Sequence, residues 1–160
     1  MFHLKKLLIK NFMSYRPLPD GLTIKGSPIE GLGLFATQDI KKGSFIGITH
    51  IRDEQFENKY IRTPIGGFYN HSNEPTVIRM VSDVIPKLKF GDKIDIDAPV
   101  KKFQDGEDNK GENLFYNLHE KSDAKFFFMV SIKDIKAGEE LTANYNLYTY
   151  PKTGVGIQMI

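Results

Sequence analysis

Apolar and polar residues alternate in short runs along most of the chain, and Gly, Pro, Asn and Asp interrupt them. Such alternation predicts strands, because successive side chains on a strand point to opposite faces. Residues 22–25 (LTIK) read as a first strand, stopped by Gly26-Ser27-Pro28. Residues 34–36 (LFA) read as a second, after Gly31-Leu32-Gly33, and the β-branched run at 44–51 (SFIGITHI) as a third. Residues 76–81, 93–96 and 125–132 complete the set. In the run at 93–96 and the residue after it, Asp95 and Asp97 alternate with Ile94 and Ile96, so both carboxylates fall on one strand face. Helical spacing is scarce. Residues 2–13 (FHLKKLLIKNFM) and 52–61 (RDEQFENKYI) are the two helix candidates, and the polar, Gly-containing stretch 104–113 reads as a long loop. The expected class is mostly β, built from short strands.

Composition narrows the possibilities. A chain of 160 residues fits one domain and can bury a core without covalent staples. It contains no cysteine, which excludes disulfides and thiolate zinc sites. Apolar runs such as 126–130 are too short to span a bilayer, and the N-terminal stretch has no small-residue cleavage site. An intracellular, soluble protein without a membrane partner is expected. A net charge of +2 is too balanced for a direct nucleic-acid partner. The charge is unevenly spread, with a basic N-terminal segment and nine acids against five lysines over residues 92–123.

Three short motifs carry candidate chemistry. Gly31-Leu32-Gly33 alone describes a tight turn that lets backbone approach a ligand, and it lacks the third glycine and the helix of a dinucleotide fingerprint. Asn70-His71-Ser72 follows Gly66-Gly67-Phe68-Tyr69, with no carboxylate or thiolate at ligand spacing near His71, so no metal is expected. Residues 138–145 (GEELTANY) read as a turn into a strand that ends on Tyr145. The acidic run at 105–112 fails as a calcium loop, because Lys110 stands where glycine is needed and Tyr116 where the bidentate glutamate belongs.

Taken together and in this order, the motifs resemble the SET-domain protein-lysine methyltransferase family. Residues 30–36 (EGLGLFA) resemble its G-x-G element, and residues 67–76 (GFYNHSNEPT) its R-F-x-N-H-S-C-x-P-N motif. Residues 138–145 resemble its G-E-E-L-T-x-D-Y motif. Departures are Gly67 for Arg, Asn73 for Cys, Thr76 for the final Asn, Asn144 for Asp, and no cysteine-rich tail. The resemblance implies a SET-domain (β-clip-like) fold of several short curved sheets, with a knot-like C-terminal crossing and little helix. It also implies a flanking segment at 1–21, a SET domain at 22–150 with a variable insert at about 77–124, and a tail at 151–160.

The same resemblance implies S-adenosylmethionine as cofactor and a protein or peptide substrate carrying lysine. Gly31, Leu32 and Gly33 would contact the cofactor through backbone, and Asn70 and His71 would hold its amino-acid and adenine parts. Tyr145 would stand at the transfer point, and Tyr69, Tyr148 and Tyr150 would line the substrate channel. At an unperturbed pKa near 10.4, only about one lysine in a thousand is neutral at pH 7.4, so a dry aromatic channel that disfavours the ammonium suits this chemistry. Two other readings stay open on sequence grounds: a SET-like module that binds peptide or cofactor with little turnover, and an unrelated β-rich interaction protein.

An acidic stretch at 92–123 is expected to attract basic peptides, an effect that salt screens. Activity on a Lys/Arg-rich peptide should therefore fall from low to moderate salt, and fall less once the acids of 105–112 are neutralised. Equal salt sensitivity in the two proteins would remove the acidic stretch from substrate capture.

Overall fold

The alternating runs do become strands. A computed structural model describes residues 17–56, 59–96, 100–102 and 124–149. Strands β1 (Leu22–Gly26), β2 (Leu32–Ala36), β3 (Phe45–Arg52), β6 (Val77–Ser82) and β8 (Phe126–Ser131) lie within a residue or two of the expected runs. The long C-terminal strand β9 spans Glu140–Thr149. Three short strands were not signalled by alternation: β4 (Tyr60–Arg62), β5 (Asn70–His71) and β7 (Val100–Lys102). One helix, α1 (Pro64–Phe68), completes the described elements, so the protein is mostly β with little helix.

Strands follow the order β1-β2-β9-β6-β8-β3-β4, with β5 and β7 also paired to β9. Pairing along this path is antiparallel except between β6 and β9, and off the path β5 also runs parallel to β9 while β7 runs antiparallel. Central position explains composition. Val77 to Val81 on β6 and Phe127 to Ser131 on β8 are buried without interruption, because both faces of these strands are covered. One face packs Leu34, Ile46, Phe127, Met129 and Leu141, and the other packs Phe45, Met80, Phe128 and Val130. None of the described helices is long and apolar enough to cross a membrane.

Two expected elements differ. The described residues of the run 52–61, which are 52–56 and 59–61, form a turn and two strand ends rather than a helix. Asp53 Oδ1 accepts from Gln55 N (2.9 Å), Phe56 N donates to Asp53 O, and Lys59 takes a left-handed conformation (φ 66°) before β4 turns back onto β3. Asp in this position favours such a side-chain-closed turn, and an isolated short helix has little stability to oppose it. Residues 93–96 form no strand. Lys93 makes a single bridge to Ser44, after which Ile94 turns into the second core cluster. The helix candidate at 2–13, the loop at 104–113, Asp97 and the tail at 151–160 lie outside the described residues.

The helix α1 positions the middle motif. Thr63 caps it, accepting from Gly66 N (3.2 Å) while its hydroxyl donates to Ile48 O (2.6 Å), and Pro64 takes the first helical position. The helix presses so closely on β3 that a β-carbon at Gly66 would lie 2.0 Å from Thr49 O, whereas one at Gly67 would meet nothing within 4 Å. Gly66→Ala should therefore cost upwards of about 2 kcal/mol, the scale of overpacking against backbone that cannot move away. Gly67→Ala should be neutral or slightly stabilising. Urea denaturation of the two variants checks the contrast, and equal midpoints would contradict the close approach.

Candidate active site

Parallel pairing on β9 joins the middle and last motifs. Asn70 pairs with Thr142 and His71 with Ala143. Ser72 N donates to Ala143 O (3.1 Å) and Thr76 N to Thr142 O (2.9 Å), while Thr142 N donates to Thr76 Oγ1 (3.0 Å). Residues more than sixty positions apart are thus locked in register.

Beyond Ala143 the ladder breaks. From the pair Val77–Ala143 to the pair Arg79–Tyr148, β6 advances two residues while β9 advances five. The surplus residues on β9 include Tyr145, so its backbone groups need partners outside the ladder. Two side chains supply them. Tyr145 N donates to His71 Nδ1 (3.0 Å), and the Arg79 guanidinium donates through Nη2 to Tyr145 O. Because Nδ1 accepts, the His71 proton sits on Nε2, which faces Asn73 Oδ1 at 3.2 Å. Arg79 is fully buried, and its guanidinium carbon lies 6.0 Å from the Tyr145 ring centroid.

The Tyr145 side chain is held as firmly as its backbone. Its hydroxyl donates to Tyr69 O (2.9 Å), and its ring meets the rings of Tyr69 and His71 edge to face, with centroids 5.6 and 5.1 Å apart. Burial raises its pKa above the ordinary value, with Glu30 adding to the rise and Arg79 and Arg62 opposing it. The phenol therefore stays protonated through neutral and mildly alkaline pH. Its oxygen lone pairs are available to accept from a group that approaches.

Next to this tyrosine, Asn70 reaches into the G-x-G turn. Its Nδ2 donates to Glu140 Oε2 (2.8 Å) and lies 3.1 to 3.2 Å from Ser27 Oγ, Glu30 O and Leu32 O. Ser27 Oγ also reaches both carboxylate oxygens of Glu140, at 2.8 and 2.9 Å. Ser27 N donates to Gly31 O (2.8 Å), which closes the turn. The Glu140 carboxylate lies against Gly33, where a β-carbon would stand 2.3 Å from Oε2. The second glycine of the motif thus makes room for a side chain as well as exposing backbone. Leu32 begins β2 with its side chain half exposed.

Of the expected site residues, Gly31, Leu32, Gly33, Asn70, His71 and Tyr145 come together. Tyr69 stands directly behind Tyr145, with its ring buried in the core. Tyr148 is paired through its backbone with Arg79 and Lys101, and Tyr150 lies outside the described residues. Arg79, Glu140 and Ser27 belong to the arrangement and were not singled out in the sequence. A signal existed for Arg79: one cation inside the apolar run Val77-Ile78-Arg79-Met80-Val81 is costly to bury and calls for a specific partner.

A family model of the SET domain matches residues 31–146, which takes in all three motifs and every strand from β2 to the Tyr145 excursion. The chain belongs to the SET-domain family. Among solved structures, the Plasmodium falciparum chain titled "putative histone methyltransferase" resembles this SET protein at 17% identity and a TM-score of 0.44. That likeness covers 78% of this chain and 96% of the Plasmodium chain. No curated protein matches the sequence.

Burial raises the Tyr69 pKa from 10.0 to about 12, against smaller opposing effects from Arg79 and Arg62. A folded-state pKa above the unfolded one contributes stability that is complete below pH 10 and is lost as pH rises through 12. For this SET domain the loss from Tyr69 amounts to about 3 kcal/mol. Tyr69→Phe should flatten the decline of unfolding free energy between pH 10 and 12. A decline as steep as in the wild type would place the alkaline sensitivity elsewhere.

Proposed function

We propose that this SET domain transfers a methyl group from S-adenosylmethionine to the side-chain amine of a lysine in a protein or peptide substrate. One observation carries the reading: Tyr145 is lifted out of the β9 ladder and clamped at its N–H by His71, at its carbonyl by Arg79 and at its hydroxyl by Tyr69 O. A residue immobilised at both backbone groups and at its side-chain tip, yet half exposed, suits a transfer step that needs alignment more than acid–base strength.

The residues present fit the cofactor. Backbone at Gly31, Leu32 and Gly33 is approachable, and Asn70 Oδ1 has no hydrogen-bond partner among the described residues, which leaves it to accept from an ammonium group. His71, committed by its ring to Tyr145 and Asn73, contributes to the site by holding β5 against β9 and by its backbone. When bound, the cofactor supplies a methyl group already activated by a positive sulfur. The chain supplies orientation: with its proton committed to Tyr69 O, the Tyr145 hydroxyl accepts an N–H from the incoming neutral amine and so aims the amine lone pair. The positive charge of Arg79, whose guanidinium carbon is 6.0 Å from the Tyr145 ring centroid, disfavours an ammonium there. Tyr148 and Tyr150 are the residues proposed to line the rest of the lysine channel.

Tyr145→Phe keeps the ring and removes one oxygen. Cofactor affinity should hold, and turnover should fall by ~10²–10³, as for loss of one preorganised polar contact in a transition state. Wild-type turnover should rise from pH 7 toward 9 as more target lysine becomes neutral. Methyl incorporation into lysate proteins or a lysine peptide, read by mass spectrometry with calorimetry for the cofactor, makes the comparison. Near-normal turnover in Tyr145→Phe would move the role to Tyr148, and no cofactor-dependent methylation on any protein would favour a binding module.

A further inference from the structure

Glu140 is a half-buried carboxylate whose partners are all neutral. Among the described residues it accepts from Ser27 Oγ and Asn70 Nδ2, and no Lys or Arg forms an ion pair with it. In a folded domain such a charge costs desolvation that neutral donors offset only in part. Its location gives that cost a purpose. Glu140 Oε2, Glu30 O and Leu32 O surround the Asn70 amide at the mouth of the G-x-G turn, so acceptors converge where the cofactor is proposed to lie.

The geometry also settles which way Asn70 faces. A carboxylate and two backbone carbonyls can only accept, so the amide must turn its NH₂ toward them and its Oδ1 away. Of these three, the carboxylate is the nearest and the only one that carries charge. Gly33 has no side chain, which is what allows the carboxylate to come this close.

We propose that Glu140 is a positioning residue that acts through Asn70, fixing Oδ1 outward so that the subsite selects the α-ammonium of the cofactor. The proposal rests on the cofactor reading above and adds to it a residue and a chemical preference. A glutamine at 140 has the same shape but can offer its own NH₂. Only the Glu30 and Leu32 carbonyls then hold the NH₂ inward, so Asn70 rotates more readily and presents NH₂ to the incoming ammonium, a repulsive match.

The test uses the full chain, with S-adenosylhomocysteine and its analogue lacking the α-amino group as probes, and isothermal calorimetry as the readout. Wild type should bind the amino ligand at least several-fold more tightly than the deamino analogue. Glu140→Gln should weaken the amino ligand by roughly ten- to a hundredfold, the range for hydrogen bonds to charged groups, and leave the deamino analogue within about threefold, the level at which no charged contact is at stake. A merely structural role would weaken both ligands together, and that result, or no change in either, overturns the proposal. So does a wild type that shows no preference for the amino ligand. Where Glu140→Gln does not fold, Glu140→Asp serves: its shorter carboxylate draws back from Asn70, and the preference must shrink. Failure of the wild type to bind either ligand would instead refute the cofactor reading itself.

Discussion

Everything at the site depends on how β9 satisfies its backbone. Its ten residues meet β2, β5, β6 and β7, which come from widely separated parts of the chain. A strand shared among so many neighbours has little freedom to slide, because a shift of register would break several ladders and move core residues such as Leu141 to the wrong face. Where the ladder with β6 lapses, the freed N–H and C=O of Tyr145 are taken up by His71 and Arg79. Buried backbone groups must be paired, so the excursion and its two side-chain partners form one feature.

This constraint accounts for two residues that would otherwise be puzzling. Arg79 sits in a strand buried on both faces, an expensive place for a guanidinium. It holds there a carbonyl that the sheet has abandoned and lies over the ring of Tyr145. The His71 ring is held at both nitrogens, one accepting from backbone and the other facing Asn73. Both act as scaffold for Tyr145. The burial that raises the Tyr145 pKa comes from the same packing, and it keeps the phenol as a neutral, oriented hydroxyl.

A second polar group is built on the start of β9. Glu140 follows the turn at Gly138 and carries its carboxylate across to Ser27, Asn70 and the Gly33 backbone. The start of the strand thus organises the proposed cofactor loop, and the excursion five residues later organises the proposed transfer point. The two halves of the site are kept in fixed relation by the Asn70–Thr142 and His71–Ala143 pairs between them.

Much of this was legible in the chain, and the failures have identifiable causes. Alternation located β1, β2, β3, β6 and β8 because each is long enough to show a period or a continuous buried run. It missed β4, β5 and β7, which have two or three residues and exist only because a longer strand lies alongside. The charged run at 52–61 looked helical by spacing, but pairing β4 with β3 outweighed a helix with no apolar stripe to bury. By itself the sequence determined the strand-rich class and the three motifs, and their order pointed to the family, since these follow from local pattern and residue type. Only the tertiary structure decided that Tyr145 leaves its ladder, that Arg79 and His71 hold it, and that Glu140 meets Asn70. Those are pairings between residues 66 to 74 positions apart, and no local pattern encodes which distant donor will meet a backbone group that the sheet leaves unpaired.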